Sequence, residues 1–338
     1  MQYKVGWDIG GAHLKAVLLD AHGVVQSVYQ LACPLWKGLH ELEQAMTEIW
    51  QSIKQPDALS AVTMTGELVD LFPNRQVGVC EIAKVVNRLL GKHVVFYAGD
   101  NGWVRFDAVA SHTQAIASMN WLASAQYLSK FSDNALLIDI GSTTTDMIPL
   151  GKSQLSAIGR TDAQRMANHA LIYTGVVRTP LMALGPTINF KAQTYYVAAE
   201  YFATTADVYR ILSQLSAEAD LADTGDGKGK TLSETATRLA RMVGHDVEDY
   251  PLSDWVELAK AFKQQQKNIL MQSVKYHVNQ DVMPIIAVGV GAFLCQEIAE
   301  DLGLPVINIA DYVQAKDSHT QWQAVNCFPA YAVARLAQ

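Results

Sequence analysis

The sequence predicts an α/β protein made of two related half-domains, and a repeated hairpin motif carries that prediction. Residues Asp8–Lys15 read DIGGAHLK, and residues Asp139–Asp146, which begin 131 positions further on, read DIGSTTTD. Each motif follows an apolar run, Val5–Trp7 in the first case and Ala135–Ile138 in the second. An apolar run followed by a glycine-rich stretch is typical of a buried strand that ends in a tight hairpin. We therefore expect two similar half-domains whose hairpins face one phosphate chain.

The rest of the chain alternates predicted helices and strands. Apolar residues recur at helical spacing between Leu39 and Gln55, and Pro56 ends this helix. A second helix is predicted at Glu81–Leu90, with Gly91 as its C-cap because glycine readily adopts the conformation found there. The other predicted elements are a strand at Val94–Tyr97, a long helix from about Ser111 that crosses into the second half, strands at Leu136–Asp139, Met147–Leu150 and Leu155–Ile158, and helices at Trp255–His277 and Gln321–Leu336.

These elements place a domain boundary near residue 131. Residues 1–131 form the first predicted lobe, and residues 132–338 form the second, with a helical insertion near residues 160–280. The last helix is a candidate to pack back on the first lobe. Residues 217–231 are rich in Asp and Gly and predict a loop. Its acidic spacing does not match an EF-hand, so a solvated turn is favoured over a metal site.

Composition is consistent with one compact soluble enzyme. Half of the 338 residues are hydrophobic and 17% are charged, which argues against disorder. The net charge of −7 disfavours a nucleic-acid or anionic membrane partner. The four cysteines form no CxxC pair, no apolar run reaches the ~18 residues of a spanning helix, and the chain enters a strand at once. We therefore expect a cytoplasmic protein without a signal peptide, and leave open whether it is a monomer or a homodimer.

The two hairpins have the chemistry of phosphate-binding loops. Glycine lets backbone N–H groups approach an anion closely, and hydroxyl groups add further donors. Lys15 would neutralise phosphate charge, although a surface lysine at a strand edge is the alternative interpretation. Asp8 and Asp139 end their strands and are suited to hold Mg²⁺ directly or through water. The predicted phosphate-binding residues of the hairpins are Gly10, Gly11, Lys15, Gly141, Ser142 and Thr143.

Several charged residues outside the hairpins are candidates for catalysis or substrate binding. Glu67 follows an apolar strand and is predicted to act as a base or to bind an ammonium group, with a first-turn helix acid as the alternative. Asp70 and Asp100 are weaker candidates of the same kind. Asp162 and Arg165 are spaced for a simple ion pair within one helix. The arginines predicted to grip a carboxylate are Arg75, Arg165 and Arg178.

The hairpins resemble the two phosphate loops of the acetate and sugar kinase, heat-shock chaperone and actin superfamily. Residues Pro284–Gly303 resemble its strand–loop–helix adenosine element, with Gly289 and Gly291 at the turn. The resemblance implies two RNase H-like, actin-like ATPase lobes, each a mixed sheet flanked by helices, with a cleft between them. Within the superfamily the chain is most similar to hydantoinase/oxoprolinase-related proteins, in the branch linked to tetrahydromethanopterin-dependent one-carbon transfer and methanofuran synthesis. The strings that carry this closer match are Val62–Val79, Ser118–Trp121, Gly159–Leu181 and Glu200–Leu212.

This resemblance implies a transferase that joins an aminomethylfuranmethyl diphosphate to the phenol of γ-glutamyltyramine and releases diphosphate. Lys15, Glu67 and Asp139 are then the expected catalytic residues, Mg²⁺ the expected cofactor, and Asp70 and Asp162 expected substrate contacts. An ATP-dependent kinase or a hydantoinase/oxoprolinase-type ATPase is the alternative enzyme, and a nucleotide-switched binding or filament protein is the third hypothesis. One departure weighs against ATP: Ala12 stands where kinases of the superfamily usually have a hydroxyl.

Overall fold

A computed structural model describes residues 2–151, 155, 157–278 and 283–337. The chain divides into two compact units, which we call unit 1 and unit 2. Unit 1 contains the described residues up to Asp133, together with Leu150, Gly151 and those from Asn308 onward. Unit 2 contains the other described residues. The units therefore differ from the predicted lobes at the C-terminal end, because residues from Asn308 onward pack in unit 1.

The first sheet of unit 1 has six strands in the order β3-β2-β1-β4-β5-β6. β1, β2 and β3 form an antiparallel meander, whereas β4 and β5 run parallel to β1 and β6 is antiparallel to β5. The strands are β1 (Lys4–Ile9), β2 (His13–Leu19), β3 (Val25–Ala32), β4 (Leu59–Met64), β5 (Val94–Tyr97) and β6 (Trp103–Val104).

The main sheet of unit 2 repeats this topology, with the order β13-β12-β7-β8-β9. β7, β8 and β9 form an antiparallel meander, as β1, β2 and β3 do in unit 1. β12 runs parallel to β7, and β13 runs parallel to β12. This repeat confirms the predicted fold class, a pair of RNase H-like mixed sheets flanked by helices. The strands of unit 2 are β7 (Leu136–Ile140), β8 (Thr145–Pro149), β9 (Leu171–Ile172), β12 (Ile285–Val288) and β13 (Val306–Ile307), with β10 (Thr187–Phe190) and β11 (Gln193–Tyr196) in a separate hairpin. The strand predicted at residues 155–158 is wrong at the positions that the structure describes, because Leu155 and Ala157 are helical and Ile158 lies in a turn, while residue 156 lies outside the described residues.

The helices of unit 1 cover its sheet with apolar faces. α1 buries Leu42, Met46, Ile49 and Ile53, which recur every three or four residues along one stripe. α2 begins two turns earlier than predicted, because the side chain of Asn74 accepts a hydrogen bond from Val77 N at 2.9 Å and caps it. The helices of unit 1 are α1 (Leu39–Ile53), α2 (Arg75–Leu90), α3 (Thr113–Ile116), α4 (Asn120–Leu128), α10 (Ser318–Asn326) and α11 (Phe328–Leu336).

Two predicted long helices are interrupted in the structure. The prediction of one long helix from Ser111 into the second half is wrong, because two short helices, α3 and α4, occupy this segment and both belong to unit 1. The chain breaks at Ala117–Met119, where Ser118 has a positive φ of 54°. The helix expected at Gln321–Leu336 is also split, and Pro329 in the first turn of α11 marks the new start.

The C-terminal helix α11 packs directly on the central strand of unit 1. A Cβ atom on Gly6 of β1 would lie 1.9 Å from the backbone oxygen of Ala330, so only glycine allows this close approach. The side chain of Lys4 donates to Ala337 O near the other end of α11. α11 therefore runs antiparallel to β1.

The helices of unit 2 lie around α8, which extends beyond the predicted ends at Trp255 and His277. The buried residues of α8 include Leu258, Phe262 and Leu270, which pack in the apolar core beneath the sheet. The helices of unit 2 are α5 (Asp162–Ala167), α6 (Thr205–Ile211), α7 (Leu232–Arg241), α8 (Leu252–Val278) and α9 (Ala292–Leu302).

The Asp- and Gly-rich loop 217–231 is anchored by buried arginines. Arg238 is fully buried and donates to Asp207 at 2.8 Å and to Asp226 at 3.1 Å. Arg210 donates to Asp207 at 2.7 Å and binds Asp220 through two nitrogens. These arginines bind two of the loop carboxylates, so ion pairs anchor the loop at Asp220 and Asp226, while residues 227–231 are exposed to solvent as the predicted turn requires.

We predict that Arg238→Met destabilises unit 2 by about 3 kcal/mol, because breaking a buried ion pair leaves carboxylate charge without its partner. The measurement is urea-induced unfolding followed by circular dichroism. Arg241→Met is the matched control, since Arg241 also faces Asp226, at 3.8 Å, but is 41% exposed. The control should change stability by less than about 1 kcal/mol. Equal effects of the two substitutions would contradict the anchoring role of Arg238.

Candidate active site

The hairpin between β1 and β2 is held through its carbonyl groups. Gly10 N donates to His13 O at 3.0 Å and closes the turn. The carbonyl oxygens of Gly11 and Ala12 accept hydrogen bonds from Leu35 N at 3.0 Å and Cys33 N at 2.8 Å. In a planar trans peptide the N–H points opposite to the C=O. The N–H groups that follow Gly11 and Ala12 are thus directed away from the Cys33–Leu35 segment, as an anion-binding hairpin requires.

Three polar side chains form a row across neighbouring strands of unit 1. Lys15 on β2 lies opposite Asp8 on β1, and Asp8 lies beside Thr63 on β4. Residues in register on adjacent strands project from the same face of a sheet. Asp8 and Thr63 are buried, and Thr63 Oγ1 has no hydrogen-bond partner among the residues that the structure describes. The structure therefore brings the predicted Lys15 and Asp8 together and adds a buried hydroxyl that the sequence did not single out.

Glu67 lies immediately after β4, in a short 3₁₀ turn at Gly66–Leu68. Its side chain is 1% exposed, and Ser118 Oγ donates to Glu67 Oε1 at 2.7 Å. The turn is next to the first hairpin, because Thr65 N donates to Ile9 O at 2.9 Å. A buried carboxylate that accepts a directed hydrogen bond is a well-defined proton acceptor or cation ligand. Glu67 thus has the placement expected of a base or an ammonium-binding group.

The hairpin between β7 and β8 is held in the same way as the first. Gly141 N donates to Thr144 O at 2.9 Å and closes the turn. The oxygen of Gly141 accepts from Val176 N at 3.1 Å, and the oxygen of Ser142 accepts from the N–H groups of Val177 and Arg178. The Arg178 guanidinium also contacts Thr143 Oγ1 at 3.5 Å. Arg178 is therefore brought to the second predicted phosphate loop, together with Ser142 and Thr143.

A buried polar network supports the segment that holds this second hairpin. Gln266 on α8 donates to Thr174 Oγ1 and to Gly175 O, both at 2.9 Å. Thr205 on α6 donates to Gly175 O at 2.8 Å, and Thr145 donates to Thr174 O at 2.6 Å. These bonds explain physically why polar residues of the Gly159–Leu181 and Glu200–Leu212 strings are buried.

The loop after β12 packs against the carboxyl end of β7. Gly289 has a φ of 84°, and a Cβ atom there would lie 2.3 Å from Asp139 Oδ1. Gly291 N donates to Ile140 O at 2.9 Å. The predicted Gly289 and Gly291 are thus beside the catalytic candidate Asp139. Glycine at residue 289 leaves room for that carboxylate.

The remaining substrate-binding candidates are dispersed. Asp70 is exposed beyond the Glu67 turn, and Arg75 is the first residue of α2. Asp162 is buried at the start of α5. Arg165 donates to Asp146 and, at 3.1 Å, to Ala170 O, and its pairing with Asp162 stays a prediction. Arg165 is 2% exposed, so this buried ion pair favours a structural role over carboxylate recognition.

Buried thiols flank both sheets. All four cysteines are free thiols, and Cys33 and Cys295 are fully buried. Burial raises the pKa of Cys33 to about 12. The pKa of Cys295 is raised by burial and further by the charge of Asp139. The raised pKa values keep these two residues protonated as thiols at neutral pH.

Sequence reasoning missed Ser118, Thr63 and Gln266 as members of the site or its support. Ser118 and Thr63 stand within strings that carry the family resemblance, and this was the available signal. Gln266 stands among the polar residues of a long helix, where the pattern gives no sign that it is buried.

Hard oxygen donors lie at the ends of both central strands. Mg²⁺ is commonly held by one or two carboxylates, waters and substrate phosphates, and so does not need a complete protein cage. Asp8 with the neighbouring Thr63 hydroxyl fits that chemistry, as does Asp139. No group of three or more His, Cys, Asp or Glu residues suited to a metal occurs in the described ranges. Within the same ranges, no helix has the length and apolar character needed to span a membrane.

Comparison with known proteins gives two relatives that carry the same name. The chain is 28% identical to (4-{4-[2-(gamma-L-glutamylamino)ethyl]phenoxymethyl}furan-2-yl)methanamine synthase of Methanocaldococcus jannaschii, over 99% of this chain and 97% of the relative. It is 29% identical to the protein of the same name from Methanococcus vannielii, over 53% of this chain and 81% of the relative.

A solved structure of nucleotide-free acetone carboxylase shares the fold with a TM-score of 0.56 and 12% identity, over 98% of this chain and 70% of that one. The Hydantoinase/oxoprolinase family model matches residues 58–338, which include the Glu67 turn, the second hairpin and the Gly289 loop. The chain belongs to the hydantoinase/oxoprolinase family.

Proposed function

We propose that this protein is an enzyme of methanofuran synthesis that forms an aryl ether. Its substrates are an aminomethylfuranmethyl diphosphate and γ-glutamyltyramine, and its second product is diphosphate. The observation that carries the proposal is the similarity over 99% of the chain to a synthase whose name contains this phenoxymethylfuran linkage. The buried Glu67 carboxylate and the two carbonyl-held hairpins support the same chemistry.

The reaction exchanges one C–O bond for another. The bond between the exocyclic CH₂ and the diphosphate oxygen breaks, and its electron pair leaves with the diphosphate. The furan ring stabilises the positive charge that develops on the CH₂ group. The phenol oxygen forms the new bond, and its proton passes to a carboxylate. Base assistance is useful because the phenol has a solution pKa of ~10.

The polar groups described above divide into those suited to the leaving group and those suited to the nucleophile. In unit 1, Lys15 and the hairpin N–H groups are suited to stabilise diphosphate, because fixed donors act where negative charge develops. In unit 2, the hydroxyl groups of Ser142 and Thr143 and the hairpin N–H groups have the same chemical character. Bound Mg²⁺, held by Asp8 or Asp139, would neutralise further diphosphate charge. Glu67 is suited to accept the phenol proton.

The substrates also carry charged groups that do not react. The aminomethyl ammonium would favour a carboxylate, for which Glu67 and Asp70 are the candidates, and the glutamyl carboxylates would favour an arginine. Arg178 is the preferred arginine, because it lies at the second hairpin, whereas Arg165 is committed to Asp146. Arg75 and Asp162 remain secondary candidates.

An ATP-dependent reaction is the second candidate function. Membership of the hydantoinase/oxoprolinase family favours it, since reactions of that family include the ATP-driven opening of cyclic amides. Ala12 in the first hairpin counts against it, because it removes a hydroxyl that kinases of the superfamily place on phosphate.

We predict that the purified protein forms the ether conjugate and diphosphate without consuming ATP, and that excess chelator stops the reaction. Mass spectrometry of the reaction mixture measures the conjugate, and diphosphate and ADP are assayed in parallel. A phosphorylated product with ADP, and no conjugate, would reject the transferase and favour the kinase. Full activity in chelator would reject the Mg²⁺ requirement alone.

We predict that Asp8→Ala, Lys15→Ala and Asp139→Ala each lower kcat by roughly a hundredfold to a thousandfold, the usual cost of removing one preorganised charge contact. The measurement is steady-state kinetics on variants whose circular dichroism spectra match the parent. Asp57→Ala and Lys92→Ala remove exposed charges of the same types and serve as controls. Near-normal turnover in both the Asp8 and Asp139 variants would contradict the assignment of the hairpins to diphosphate.

We predict that Arg178→Ala impairs substrate binding, whereas Arg165→Ala lowers the stability of the protein. Loss of Arg178 should raise KM for γ-glutamyltyramine roughly tenfold to a hundredfold, because the proposed hydrogen bond to the glutamyl carboxylate is lost. The stability of the protein should stay unchanged. Loss of Arg165 should instead lower stability by about 3–5 kcal/mol, because Asp146 stays buried without its partner. Kinetics and thermal unfolding separate the two. A stable Arg165 variant with a raised KM would exchange their roles.

A further inference from the structure

Ser118 has an unusual backbone conformation for a buried residue. Six described residues other than glycine have positive φ values: Lys54, Ser118, His169, Lys191, Ala192 and Ser213. Of these, only Ser118 is buried, with 4% of its surface exposed. The left-handed region is disfavoured for L-residues with a Cβ atom, and such conformations persist where the surrounding structure enforces them.

Hydrogen bonds on both sides enforce this conformation. Ala117 N donates to Thr113 O at 3.0 Å, and Ala117 pairs with Met64 in a parallel bridge at the end of β4. On the other side, Met119 O accepts hydrogen bonds from the first turns of α4. The chain therefore turns at Ser118 between two fixed points, and the turn directs the hydroxyl to Glu67 Oε1 at 2.7 Å.

We infer that Ser118 is the positioning residue of the catalytic carboxylate: its hydroxyl fixes Glu67 in the orientation that accepts the phenol proton. This inference rests on the proposed function. If the Ser118 hydroxyl only held the link between α3 and α4 against the end of β4, a backbone carbonyl could accept its hydrogen bond equally well, and no buried carboxylate would be needed. The observed bond instead joins two buried side chains, and it fixes one oxygen of the group proposed as the base.

The positioning role makes a kinetic prediction that a structural role does not. If Ser118 acts through Glu67, its loss should lower kcat roughly tenfold to a hundredfold, because a hydrogen bond to an ionised group is removed, and should leave KM within about twofold. The effect should also disappear when Glu67 no longer acts as a base. Residues that act as a unit give non-additive effects, and a double-mutant cycle measures this.

The test uses Ser118→Gly, Ser118→Ala, Glu67→Gln and the double variant Glu67→Gln/Ser118→Gly. Glycine favours folding because it adopts positive φ without strain. Ser118→Ala keeps the backbone demand and removes the same hydroxyl. Ser124→Ala is the control, since Ser124 is buried on α4 and its hydroxyl donates to a backbone oxygen, that of Asn120, at 3.3 Å. We expect both Ser118 variants to lose kcat equally, and Ser118→Gly to add no loss to Glu67→Gln.

A kcat within twofold of the parent in Ser118→Gly would overturn the inference. So would an equal loss of kcat when Ser118→Gly is placed in the parent and in Glu67→Gln. Full kcat in Ser118→Gly with a loss in Ser118→Ala would assign the effect to the backbone and overturn the role of the hydroxyl.

A second measurement needs no substrate, so it separates this inference from the proposed function. The protein is labelled with ¹³C at the glutamate carboxyl groups, and the Glu67 resonance is assigned by its loss in Glu67→Gln. We expect this resonance to move in Ser118→Gly and to stay in place in Ser124→Ala. An unmoved resonance overturns the inference whether or not the ether forms. Absence of the ether with the parent protein overturns the proposed function alone.

Discussion

The candidate site depends on one constraint, which is that each glycine-rich hairpin is held by its carbonyl oxygens. In unit 1 the oxygens of Gly11 and Ala12 accept hydrogen bonds from the segment that follows β3. In unit 2 the oxygens of Gly141 and Ser142 accept from the segment that follows β9. Since β3 and β9 occupy the same place in their sheets, the repeat includes the support as well as the strands and turns. A planar peptide then leaves the N–H groups on the opposite side, where an anion can meet them.

The two units build different chemistry on this common frame. Unit 1 adds a row of ammonium, carboxylate and hydroxyl groups at Lys15, Asp8 and Thr63, and places the buried Glu67 beside it. Unit 2 adds hydroxyl groups and Arg178 at its hairpin. Other buried charges of unit 2 form ion pairs, such as that of Arg165 with Asp146. Proton acceptance is therefore best supported in unit 1, and recognition of an anionic group is well supported in unit 2.

The sequence predicted what depends on local pattern and repetition. The paired motifs gave both sheets, and apolar spacing located α1 and the strand Val94–Tyr97 closely. The sequence did not reveal that the predicted long helix is interrupted at Ser118, between α3 and α4. Serine is not a strong helix breaker, and the interruption is enforced by the pairing of Ala117 with the end of β4. Nor could the sequence distinguish Arg165 from Arg178, since both stand in polar helical or loop contexts. Burial against Asp146 depends on tertiary packing that spacing along the chain does not encode.

The order of the chain in unit 1 has a consequence for synthesis. β1 is the central strand of its sheet, yet the helix that covers Gly6 comes from residues 328–336, after the whole of unit 2. At a translation rate of roughly 5–20 residues per second, that face of β1 would stay uncovered for tens of seconds. Unit 2 is contiguous apart from a short excursion and can close first. The nascent protein would then need either a temporary cover for its first strands or slow ordering of them until residues 328–336 have been synthesised.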